Sequence, residues 1–205
     1  MKILATSDLH GHLNGFMRLV HQHAPEIVVL AGDITDKGWL RWNLANRTLS
    51  AIREFCGSHS GIDFVIVPGN HDWGPFANFE LLGQLPNVHY FGSDITTVKA
   101  VRGIRFFGGS VLDQETLRGL DGPVDIAVSH HKPDAVIPAR LVIYGHHHHC
   151  HHQTHIDWPQ NGETLSLNVS SNVIHDTTAY GCYLIDYCEK GRIVCDWITE
   201  QDMRA

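Results

Sequence analysis

The residues of this chain able to do chemistry are aspartate, histidine and asparagine, and they recur at one kind of place. The apolar run Lys2–Thr6 is followed by Ser7-Asp8-Leu9-His10, and Ile27–Ala31 by Gly32-Asp33-Ile34-Thr35-Asp36-Lys37-Gly38. Phe64–Pro68 runs into Gly69-Asn70-His71-Asp72, Val124–Ser129 into His130-His131, and Arg140–Tyr144 into Gly145-His146-His147-His148. Each piece alone has an ordinary explanation. Gly-Asp after a strand is a turn, Asn-His-Asp can be a turn with a helix N-cap, and a single histidine can be a hydrogen-bonded core residue. Turns do not explain five such pieces, each closing an apolar run. Parallel sheets bind ligands outside the carboxyl ends of their strands, so the five predict one convergent site. Carboxylate, imidazole and amide oxygen suit divalent Mn, Fe, Zn, Co or Ni, and no Cys motif marks a structural zinc site. A carboxylate shared by two cations holds them about 3.5–4 Å apart, a spacing that clamps in-line displacement at phosphorus.

The elements that position these residues change character along the chain. The first half alternates strand and helix: a strand at Lys2–Thr6, a helix over Leu13–His23 with Leu13, Phe16, Met17 and Val20 on one face, a strand at Glu26–Ala31, a helix over Leu40–Phe55, and a strand at Asp63–Val67. This β-α-β-α-β order predicts parallel strands with right-handed crossovers. In the second half helical periodicity is scarce. Thr96–Val101 and Ile104–Phe107 flank Arg102-Gly103 as a hairpin. Val124–Ser129 and Leu141–Tyr144 are short strands, Thr154–Trp158 and Thr164–Val169 flank a Pro-Gln-Asn-Gly turn, and Tyr180–Tyr187 pairs with Arg192–Ile198. The pattern predicts a mixed sheet packed on a second, more antiparallel one, with helices outside.

Composition sets further bounds. A chain of 205 residues that is 43% hydrophobic fits one domain over residues 1–205. The formal charge of -7 gives no electrostatic support for wrapping nucleic acid. Five cysteines without CxxC spacing read as reduced thiols, and with no signal peptide or membrane-length apolar run they point to a cytoplasmic protein with no membrane partner. Histidine is the anomaly: there are seventeen, seven of them between His146 and His155.

In order and spacing, Asp8-x-His10, Gly32-Asp33-x-x-Asp36, Gly69-Asn70-His71-Asp72, His130 and Gly145-His146-x-His148 resemble the calcineurin-like metallophosphoesterases. The resemblance implies an α/β fold of two mixed β-sheets packed face to face with flanking helices. It also implies a hydrolase acting on phosphate esters of small molecules or nucleotides through two divalent metal ions (Mn, Fe, Zn, Ni or Co) and a bridging hydroxide. On it, Asp8, His10 and His148 bind one metal, Asn70, His130 and His146 bind the other, and Asp33 bridges them. His71 acts on the leaving group and Asp36 orients His71. Lys37 and Asn70 face the substrate phosphate, Lys37 as a point charge without the fork of an arginine; a solvated surface lysine is the other reading.

The sequence departs from the family pattern at three places. His130 is followed by His131-Lys132-Pro133, which leaves His131 as a second choice of ligand. The last motif lies in a histidine run, where Gly145 favours the register His146 and His148 over His147 and His149. The segment after Asp72 is too short for a large cap domain. Compact members of the family are often diesterases, which favours a small phosphodiesterase. A phosphomonoesterase acting on nucleotides or phosphoproteins, a non-catalytic scaffold of the same fold and a metal-storage protein are the other readings. His149, Cys150, His151, His152 and His155 read as an auxiliary metal-loading or lid element or as an exposed loop. Asp72 reads as an anchor of the His71 loop or a helix cap, and Asn14 as a phosphate contact or an N-cap.

Overall fold

The computed structural model describes residues 1–36, 42–73, 78–92, 97–148, 153–158, 162–171, 180–189 and 191–199. Lys37, His149, Cys150, His151 and His152 lie outside them, as do Pro159, Gln160 and Asn161 of the expected turn. The side chain of His155 is likewise outside the description.

In chain order the elements are β1 (Lys2–Thr6), α1 (Leu13–His23), β2 (Ile27–Ala31), α2 (Trp42–Ser58), β3 (Asp63–Val67), a 3-10 turn over Phe79–Gln84, β4 (Val88–Tyr90), β5 (Val98–Val101), β6 (Ile104–Gly109), α3 (Gln114–Leu117), β7 (Val124–Ser129), β8 (Ala139–Tyr144), β9 (Gln153–Trp158), β10 (Gly162–Asn168), β11 (Gly181–Asp186) and β12 (Val194–Thr199). They form two six-stranded sheets among the described residues, ordered β12-β11-β1-β2-β3-β4 and β5-β6-β7-β8-β10-β9. In the first sheet β1 to β4 are parallel, β11 pairs antiparallel with β1, and β12 pairs antiparallel with β11. In the second, β6, β7, β8 and β10 are parallel, with β5 and β9 antiparallel at its edges.

The second sheet is therefore no more antiparallel than the first, which corrects the expectation. The two hairpins of the second sheet, β5–β6 and β9–β10, each place a single antiparallel strand at an edge of an otherwise parallel array. The β5–β6 hairpin turns on Arg102 and Gly103, both at positive φ (49° and 84°), as a two-residue connection of this twist requires. The α1 N-cap falls on His12 with no side-chain cap, so Asn14 lies inside the helix and is not its cap.

The strands read as continuous apolar runs because both faces are covered. Ile3, Ala5, Ile27, Val29, Ala31, Val65 and Val67 of the first sheet meet Phe106, Ile126, Val128, Leu141, Ile143, Leu165 and Leu167 of the second. On the outer face of the first sheet, Leu4, Val28, Leu30, Phe64 and Ile66 pack against Phe16, Leu19 and Val20 of α1 and Leu49, Ile52 and Phe55 of α2. Phe107, Ala127, Val142 and Tyr144 pack with Leu112, Ile137 and the segment around α3 on the far side. Each such side chain contributes about 1.5–3 kcal/mol on burial. This packing fixes the carboxyl ends of β1, β2, β3, β7 and β8 beside one another.

Candidate metal centre

The loops leaving those strand ends are tied to one another by backbone hydrogen bonds. Asp8, His10 and Gly11 donate their N–H groups to the carbonyls of Gly32, Asp33 and Ile34 at 2.9–3.0 Å, and Gly145 donates to the carbonyl of His130 at 2.9 Å. Asp8, His10, Asp33 and His146 all have positive φ, between 44° and 69°. Side-chain-bearing residues adopt that region at a cost, and such strain concentrates at functional sites. Two motif glycines make room for the carboxylates. A Cβ on Gly69 would lie 2.1 Å from Asp33 Oδ1, and one on Gly145 would lie 2.8 Å from Asp8 Oδ2.

Asp33 stands at the middle of the cluster and is fully buried. Its Oδ1 accepts the His71 backbone N–H at 2.7 Å. Its Oδ2 has no hydrogen bond and lies 3.9 Å from His10 Nε2 and 3.3 Å from His130 Nε2. Burial pushes the Asp33 carboxyl up, but the nearby His130 ring and the His71 N–H outweigh it and hold the group below its usual range. On one side are His10, with neither ring nitrogen hydrogen-bonded, and His148, whose Nε2 lies 3.5 Å from Asp8 Oδ1. Donor atoms of Asp8, His10 and His148 fall within 4.8 Å of one another.

On the other side His130 Nδ1 donates to the Ala31 carbonyl at 2.9 Å, which leaves the Nε2 lone pair of the neutral ring turned inward. That nitrogen meets Asn70 Oδ1 at 2.9 Å and His146 Nδ1 at 3.3 Å, and Asn70 Oδ1 is 3.1 Å from His146 Nδ1. Carboxylate oxygens, an amide oxygen and imidazole lone pairs thus face one another with too few protons between them. Buried acceptors without donors are costly, and a cation among them removes that cost. The donor set fits divalent metals of the borderline class. Burial lowers the pKa of His130, yet Asp33 and Asp8 raise it overall.

His71 sits at the rim, half-buried, with Nδ1 3.6 Å from Asp36 Oδ1, longer than a hydrogen bond. Its ring centroid is 4.8 Å from that of His10. Asp72 is the anchor of this loop and caps no helix among the described residues. It accepts from the backbone N–H groups of Ile34 (3.2 Å), Thr35 (2.8 Å) and Gly69 (2.9 Å) and from the Thr35 hydroxyl (3.0 Å).

The structure brings together Asp8, His10, Asp33, Asn70, His130, His146 and His148, with His71 and Asp36 beside them; His149, of the other register, lies outside the described residues. Sequence reasoning passed over the supports on β10. Asn168 Nδ2 donates to the His147 carbonyl at 2.8 Å and Ser171 Oγ to the Asp8 carbonyl at 2.8 Å. These residues follow Leu165-Ser166-Leu167, where a serine interrupts the apolar pattern, so the rule of the five runs does not mark them. Ser7 Oγ, which donates to Asp8 Oδ2, lay inside a motif already recognised.

Comparison with known proteins agrees with this fold. A crystal structure of a dimetal phosphatase from Danio rerio shares the fold at 13% identity and TM-score 0.57, over 97% of this chain and 98% of that one. GAP50, described as the anchor in the inner membrane complex of Plasmodium, aligns at 12% identity and TM-score 0.52, over 97% of this chain and 84% of its own. A sequence search of curated proteins returns no match. The family model for calcineurin-like phosphoesterases matches residues 1–150, the stretch that carries all five motifs. The chain belongs to the calcineurin-like phosphoesterase family.

Proposed function

We propose that the chain hydrolyses phosphate esters at a centre of two divalent cations, with a preference for small phosphodiesters. The observation that carries this reading is the convergence of carboxylate, amide and imidazole donor atoms from both sheets around Asp33. Asp8, His10 and His148 would hold one cation, and Asn70, His130 and His146 the other. Two cations there supply an activated water and neutralise charge on the phosphoryl oxygens. The remaining steps belong to the chain's own groups. Asn70, at the exposed edge of the cluster, borders the phosphate. His71 donates a proton to the leaving oxygen or stabilises its developing charge, and Asp36 holds that ring in its working tautomer once the gap between them closes. Lys37 is proposed as a phosphate contact from its sequence position alone. The diester preference follows from the resemblance, since compact members of the family are often diesterases.

The test is turnover of bis-p-nitrophenyl phosphate and p-nitrophenyl phosphate with Mn, Ni, Co, Fe or Zn. Faster turnover of the diester is expected. Hydrolysis of neither ester with any of these metals would overturn the reading. A monoester preference would overturn the diester assignment alone. His71→Ala should keep two metals and lose most activity on esters with poor leaving groups; loss of a metal would instead place His71 among the ligands.

A further inference from the structure

We infer that His131 is an additional nitrogen donor toward the second cation, so that this position offers three imidazoles. The inference rests on the dinuclear reading above and concerns a residue outside its seven ligands. Donor atoms of His130, His131 and His146 lie within 4.8 Å of one another. The His131 ring centroid is 4.2 Å from that of His146 and 5.0 Å from that of His130. Nitrogens bound to a single zinc-sized cation, each about 2.0–2.1 Å from it, sit roughly 3–4 Å apart, so a small side-chain rotation brings His131 within reach.

The backbone that presents His131 is fixed. Its N–H donates to the Ser110 carbonyl at 3.0 Å and its carbonyl accepts the Ser129 hydroxyl at 2.7 Å. The His130 N–H donates to the same Ser110 carbonyl at 3.1 Å. Anchoring of this kind sets a first ligand from outside. The chemical consequence is metal choice. Imidazole favours Zn, Ni, Co and Fe, whereas oxygen donors suit Mn and Mg. A third imidazole moves the second position toward the first group, while the position of Asp8, His10 and His148 keeps its ordinary balance.

The experiment measures Zn and Mn affinities of wild type, His131→Ala and His131→Asn by chelator competition, and records Co(II) absorption spectra. Loss of even an outer partner of a metal ligand typically costs about 10–100-fold in affinity. Both variants should therefore lose at least about tenfold in Zn affinity at one of two sites, with a smaller loss for Mn and a changed Co(II) spectrum. If wild type binds two cations and neither variant changes either affinity beyond twofold, this inference fails even if turnover falls, because His131 would then contact substrate. If wild type binds fewer than two cations, the dinuclear reading fails and this inference with it. His131→Asn keeps a polar side chain without an imidazole and decides the matter if His131→Ala does not fold.

Discussion

Replacing Gly69 by alanine adds one methyl group at the most crowded point of the centre. The new Cβ would lie 2.1 Å from Asp33 Oδ1 and 2.2 Å from the Asp33 backbone nitrogen. Ordinary contact begins near 3.4 Å, so Asp33 or the Asn70 loop must retreat by about 1.3 Å. Gly69 is not in the left-handed region, so the cost comes from the collision alone. Overpacking of this kind costs about 1–3 kcal/mol, or roughly 2–12 °C in Tm for a domain of this size. The functional loss should be larger. A displacement near 1 Å in a reacting constellation can cost about a hundredfold in rate, and here it moves the shared carboxylate and breaks its bond to the His71 N–H. The assay pairs a thermal melt with ester turnover and metal stoichiometry. Gly61→Ala is the control, because a Cβ there meets nothing within 4 Å. If Gly69→Ala melts within a degree of wild type and retains turnover within threefold, Asp33 is not held as argued.

Three further outcomes follow from the geometry. Burial drives His10 down to about 4 against the charges of Asp33 and Asp8. Its folded pKa lies below the ordinary 6.5, so its contribution is complete above 6.5 and is lost as pH falls toward 4, about 3 kcal/mol in all. Urea denaturation of chelated wild type and His10→Asn between pH 7.5 and 4.5 should show the steeper loss in wild type; equal slopes would contradict this. Burial, with the Asp33 charge, pushes Asp72 up to about 6. That raised value gives stability present below the ordinary 3.8 and lost as pH rises through 6, so the advantage of chelated wild type over Asp72→Asn should shrink by about 3 kcal/mol from pH 4 to pH 7. A constant difference would refute it. Adding Mn at a hundred times its Kd should stabilise the chelated protein by about 2.7 kcal/mol per site, read as a Tm rise of roughly 5–10 °C. His146→Ala should reduce that rise, and no rise in wild type would contradict the metal-centre assignment.

The strands that carry the site were legible because each is a short apolar run ending in a polar cluster, and β1, α1, β3 and β7 begin and end where their patterns do. The helix expected at Leu40–Phe55 runs on to Ser58, and its buried stripe takes Ala45 while leaving Leu44 41% exposed. β4 was missed because three residues, Val88–Tyr90, carry no periodicity of their own; pairing with β3 makes them a strand. Pairing partners were hidden for the same reason. Nothing local in Gly181–Asp186 states that it lies against β1, more than 170 residues earlier. The candidate ligands stood out because chemistry restricts their types, and Asp72 was noticed because it lies within a motif. Asp72's role was not legible, since an anchoring carboxylate and a helix cap look alike until the N–H groups they serve are located.

The split of the ligands between the two sheets has a consequence for synthesis. Asp8, His10, Asp33 and Asn70 follow strands of the first sheet, whereas His130, His146 and His148 follow strands of the second. At a translation rate of about 5–20 residues per second, roughly 4–16 s separate Asn70 from His148. A chain halted in that interval would carry only the Asp8, His10, Asp33 and Asn70 share of the donors. The full set exists only where the second sheet has packed on the first, so occupancy of the centre would report on the joining of the two sheets.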